Sequence, residues 1–203
     1  MRHTPGVTIW VSGALFAALA VAAAALAALG PDRHGVAAAV TSTARVAFVF
    51  FWLASAGNAI AVLFGPRSGG LGRHGREFGL AFAAALSVHL ALVAWLFKIS
   101  LRQPLGDAGI VYFGIGALWT YALALCSVAA VRRGLPPRIW PILSGVGIEY
   151  ISLLFFLDFV VHPIRNGFGH PLEYAPFSFL VIAGSLLRWT AAVRRWRTKR
   201  LAA

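Results

Sequence analysis

Six stretches of near-continuous apolar residues, parted by short segments rich in Gly, Pro and charge, set the plan of this chain. They run over about residues 7–29, 41–64, 77–97, 108–131, 140–161 and 174–193. Each is close to the ~20 residues that a helix needs to cross a hydrocarbon core of ~30 Å. The breaks carry helix-ending residues: GPDRHG, GPRSGG, QPLGD after Lys98 and Arg102, RRGLPPR, and the His162–Pro163 step. With loops this short, neighbouring helices are expected to pack antiparallel. No internal repeat or linker interrupts the pattern. The expected fold is an all-α, six-helix transmembrane bundle forming one domain over residues 1–203. The first run ends in the small-residue pattern AALAALG, yet it is longer than a signal-peptide core, so it is expected to be a retained span.

Composition narrows the function classes. The chain is 60% hydrophobic and 12% charged, against about 45–50% apolar in a soluble domain. A soluble fold of 203 residues could not hide that surface, so lipid is its expected solvent. Six spans leave no room for a soluble catalytic or nucleotide-binding domain. The net charge of +12 does not point to nucleic acid, because the basic residues sit between apolar runs and form no polar face. Cys126 is the only cysteine, which excludes an internal disulfide and a cysteine-based metal site.

The basic residues also orient the bundle. One side collects Arg2, Arg67, Arg73, Arg76, Arg132, Arg133, Arg138, Arg194, Arg195, Arg197, Lys199 and Arg200; the other has Arg33, Lys98, Arg102 and Arg165. The excess of positive residues marks the cytoplasmic side, so both termini are expected in the cytoplasm. The basic tail then serves as a topology signal and touches anionic headgroups.

Five ionisable residues in or at the ends of the spans call for an account: Arg45, His89, Glu149, Asp158 and His162. Such groups are costly in hydrocarbon and call for a function or a partner. With this orientation all but Glu149 lie in the outer half of the membrane. Asp158 and His162, four apart, share a helix face. Two imidazoles can hold a haem iron, and an arginine at the rim suits a propionate. His89 and His162 are therefore candidate haem ligands and Arg45 the candidate propionate partner. Ala83, Ala84, Ala85, Ser87 and Ala91 would let a flat macrocycle approach. The plainer reading has His89 bonding a backbone carbonyl to pin two helices, His162 meeting water at a helix end, Asp158 pairing with an arginine and Arg45 snorkelling to the headgroups. Glu149 needs a partner, a proton or a water cavity under either reading. His3, His34, His74 and His170 read as solvated. Trp95, Trp140 and Trp189 read as interface anchors, and Gly114–Gly116 as a close helix-packing point. GPRSGGLGRHG follows a span and no strand, so it fails the context of a phosphate loop.

Residues Thr43–Phe48, and Arg76-Glu77-Phe78-Gly79-Leu80 through His89-Leu90, resemble the ferric reductase-like transmembrane domain family. The likeness is closest to its branch containing the haem-binding membrane subunit of the bacterial methionine-sulfoxide reductase system. That branch has an arginine opening the second span, and an Arg-x-x-Gly-Leu start to the third. In it a haem-ligating histidine follows the glycine as His89 follows Gly79. Trp140-Pro141-Ile142-Leu143 resembles its opening of the fifth span. The resemblance covers spans two to five. It departs from the family where two span-five histidines are replaced, by Ser144 and by the region of Leu157 and Asp158; His162 is only nearby.

The resemblance implies a multi-pass protein of the bacterial inner (plasma) membrane. It would carry one haem b or none, and pass electrons from a separate donor, a quinol or a flavoprotein, to a partner such as a periplasmic redox protein. The lost histidines open a second possibility, a haem-free scaffold or assembly partner of the same fold. A third is a small transporter or proton path through Glu149 and Asp158, against which stands the lack of an inverted repeat.

Overall fold

The computed structural model describes residues 5–65, 69–101, 106–134, 136–165 and 171–201. Its elements are α1 (Pro5–Leu29), α2 (Arg33–Phe64), α3 (Gly69–Arg73), α4 (Gly75–Ile99), α5 (Asp107–Cys126), α6 (Ala129–Gly134), α7 (Ile139–Phe156), a π-helical turn (Leu157–Val161), α8 (His162–Arg165) and α9 (Pro171–Leu201). There is no strand among the described residues. Among the described residues six helical stretches are long and apolar enough to span a bilayer, as the hydrophobic pattern predicts. The protein is an all-α membrane bundle. Arg2, His3, Arg67, Arg102 and His170, which entered the sequence reading, lie outside the described residues.

Helix ends differ from the apolar runs where local capping overrides hydrophobicity. The α1–α2 break shrinks to Gly30–Asp32. Gly30 takes φ 88°, and the Asp32 carboxylate accepts the amides of His34 and Gly35 at 3.0 Å. That N-cap starts α2 at Arg33, so Arg33 and His34 belong to its first turn. A side chain at Gly35 would collide with the Gly30 carbonyl, so the turn closes only on glycine. The resulting α2 has 32 residues, about 48 Å, and overruns the hydrocarbon core. In α5 the helix stops at Cys126, short of the expected 131. Ser127 donates its hydroxyl to the Leu123 carbonyl at 2.8 Å, and the amide of Val128 closes a tighter turn on Leu125. The last helix continues past residue 193 through the basic tail to Leu201.

Five long helices form a ring in the order α2, α4, α5, α7, α9, with α9 closing on α2, and α1 packs outside against α2 and α4. Alanines line the seams of α1, α2 and α4. Ala14, Ala18, Ala39 and Ala85 are fully buried there, because small side chains let backbones approach where water supplies no hydrophobic drive. Aromatic rings fill the centre. Phe48 meets Phe155 and Phe159 edge-on at 5.0 and 5.1 Å, and Phe159 stacks on Phe177 at 5.2 Å. On the far side Gly116 of α5 receives the Leu154 side chain of α7, whereas Gly114 faces open space. Only the second of the two glycines is the packing point. Trp95 and Trp189 are exposed near span ends, and the Arg132 guanidinium lies 5.3 Å from the Trp140 ring.

Candidate functional site

The ionisable residues singled out in the spans lie at three seams. The first is α4 on α2. His89 Nδ1 lies 3.1 Å from the Val40 carbonyl and 3.3 Å from Thr43 Oγ1. A carbonyl can only accept, so Nδ1 carries the proton and donates, and Nε2 keeps its lone pair. The fully buried Thr43 hydroxyl in turn donates to the Ala39 carbonyl at 2.8 Å. His89 thus fastens α4 to the early turns of α2.

The second seam lies on the opposite flank of α2. Thr43 and Arg45 are two residues apart, about 200° around the helix, so Arg45 points away from His89. Its Nη2 donates to Glu173 Oε2 of α9 at 3.1 Å, and its guanidinium lies 5.4 Å from the Phe177 ring and 5.7 Å from that of Tyr174. Asp158 interacts electrostatically with both His162 and Arg45. It is carried by the π-helical turn, an irregularity often found at functional positions. The Phe159 carbonyl of that turn accepts the Ser178 hydroxyl at 2.6 Å. Arg45, Asp158, His162 and Glu173 therefore form one cluster at the expected outer rim.

The third seam is α7 on α9. Arg188 grips Glu149 with two parallel bonds, Nε to Oε1 and Nη2 to Oε2, both 3.1 Å. Nη2 also reaches Ser152 Oγ at 2.8 Å. Glu149 sits about ten residues into its span, some 15 Å from the start of α7. The Arg188 side chain is 12% exposed and that of Glu149 47%. Nearby, Trp52 Nε1 of α2 donates to the Leu180 carbonyl at 2.8 Å.

The five sequence candidates are divided among these seams, His89 at the first, Arg45, Asp158 and His162 at the second and Glu149 at the third. α2 stands between His89 and His162, and the interior beside it is filled by Phe48, Phe155, Phe159 and Phe177. A void bounded by Phe48, Ser55, Ser152 and Arg188 measures about 10 Å³, room for one water. A macrocycle clamped between these two imidazoles does not fit this packing. Among the described residues no three His, Cys, Asp or Glu side chains group as a metal site. Glu149 and Asp158 are nine positions apart, about half a turn out of phase, and each faces its own partners.

Glu173 and Arg188 complete the clusters and were not singled out from the sequence. Their signal was available: an arginine inside an apolar run demands a partner as strongly as Glu149 does. His74, read as solvated, packs against Trp10 and Phe78 with ring centroids 6.4 and 6.3 Å away, and lies 3.9 Å from Glu77.

Fold and seams together define a multi-pass α-helical membrane protein whose intramembrane polar groups meet one another across helices. No family model, characterised protein or solved structure matches the chain.

Proposed function

We propose that this chain is a haem-free membrane scaffold, an assembly partner for other membrane proteins, in the plasma membrane of a bacterium. One observation carries the reading: the intramembrane polar groups are spent on joining helices. His89 binds α2, Arg45 binds the start of α9, and Glu149 binds Arg188. Groups so engaged make a rigid frame.

The test is to purify the protein from haem-replete cells in mild detergent and record native mass spectra together with oxidised and dithionite-reduced absorbance. The expected outcome is a stoichiometric complex with a second membrane protein and no haem bands. His89→Ala should lower complex recovery and leave the absorbance unchanged. A b-type spectrum in a free monomer would overturn the proposal.

A second reading is favoured by one specific feature. Ligand imidazoles commonly donate their remote N–H to a carbonyl, and His89 does so toward Val40. A b-haem electron-transfer subunit would use Nε2 of His89 and a second ligand other than His162, with a quinol or flavoprotein as separate donor; the haem would supply the redox chemistry. Reduced-minus-oxidised bands lost in His89→Ala and kept in His162→Ala would establish it.

A further inference from the structure

Glu149 occupies an unusual place on α7. The exposed face of that helix is a stripe of Ile142, Gly145, Val146, Glu149, Leu153 and Phe156, spaced at helical intervals. A carboxylate, 47% exposed, stands at the centre of this apolar stripe, deep in the span. Arg188 satisfies one lone pair on each oxygen and leaves the others facing outward. Hydrocarbon offers no donor for them, and an unsatisfied polar group there costs several kcal/mol. One turn away, Gly145 has nothing within 4 Å of where a Cβ would stand. The backbone at that point is open to close approach by another helix.

We propose that this α7 stripe is the docking face of the scaffold and that its occupant is a transmembrane helix of a different protein. That helix carries a neutral hydrogen-bond donor at the depth of Glu149. A neutral donor is favoured because the Glu149–Arg188 pair is already balanced, so an added cation would enter the bilayer uncompensated. A second copy is disfavoured. Two-fold symmetry about the membrane normal would set two Glu149 carboxylates face to face at one depth. This inference rests on the scaffold reading and names its contact surface.

The experiment places a photo-crosslinking phenylalanine, one position at a time, at Phe16, Leu118, Val146, Leu153 and Phe179. All are exposed and together they sample α1, α5, α7 and α9. Irradiation is done in native membranes and the adducts are identified by peptide mass spectrometry. The expected result is one heterologous adduct from positions 146 and 153 only. Its crosslinked peptide should lie in a membrane span containing Ser, Thr, Asn, Gln or Tyr, and its yield should fall about tenfold with Glu149→Leu. Adducts from other faces and none from α7 would overturn this surface and leave the scaffold reading standing. No protein adduct from any face would sink both. An adduct of two copies of this chain through α7 would replace the partner with a homodimer and overturn the proposal. So would fast labelling of Glu149→Cys, in a Cys126→Ser background, by a membrane-impermeant maleimide, because the carboxylate would then face a water cavity.

Discussion

Where α1, α2 and α4 meet, the seams are made of alanine; where α7 and α9 meet, they are made of charge. Ala18 and Ala85 are fully buried, and His89 of α4 meets the Val40 carbonyl and the Thr43 hydroxyl of α2. The α7–α9 seam uses Arg188 of α9 on Glu149 and Ser152 of α7. The two solutions answer one physical problem. In lipid, association comes from dispersion contacts at close range or from hydrogen bonds. Alanine seams allow close range. A seam of long side chains holds its helices farther apart and has to bond instead. The alanine side is thereby intolerant of added volume, and the polar side of lost partners.

The largest effect is expected on the polar side. Arg188→Met leaves the Glu149 carboxylate unpaired in the span and should destabilise by about 3 kcal/mol, read from unfolding in mixed dodecyl maltoside and SDS. Adding Glu149→Leu should recover most of that loss, since two apolar groups replace a pair. Equal losses in single and double variants would break the contrast. A smaller effect is expected on the alanine side. Ala85→Leu should cost about 1–3 kcal/mol by overpacking, while Ala94→Leu, on the exposed face of the same helix, should change stability by under ~0.5 kcal/mol. Similar losses at both positions would mean that the seam is not the tight one.

The smallest effect belongs to the Arg45–Glu173 cluster, at the expected outer rim. Glu173 is 56% exposed and Arg45 25%, so Arg45→Gln should cost less than about 1 kcal/mol. The Tm difference from wild type should shrink as ionic strength rises. A larger, salt-independent loss would class the rim cluster with the buried α7–α9 seam.

Much of the architecture was legible in the residue order, because crossing a bilayer is a one-dimensional demand. Length and hydropathy alone place six spans among the described residues, and Lys and Arg in the loops supply an expected orientation. Intramembrane ionisable groups announce themselves by their cost, which is how Arg45, His89, Glu149, Asp158 and His162 were found. Helix ends were less legible. Asp32 and Ser127 act through local hydrogen bonds that an apolar run does not reveal.

Partner identity was not legible at all. Placing Asp158 and His162 in the outer half of the membrane with His89 suggested one site, yet depth is a single coordinate. The angle around α2 separates His89 from Arg45, and only the packing of α4 on one flank and α9 on the other makes that angle matter. Likewise the sequence marked Glu149 as needing a partner, and the meeting of α7 with α9 supplied Arg188. Sequence alone determined which stretches are long and apolar enough to enter the membrane. The tertiary structure decided which of their residues meet, because hydrogen bonds and ion pairs act over a few ångströms between helices whose neighbours are chosen by packing and not by order along the chain.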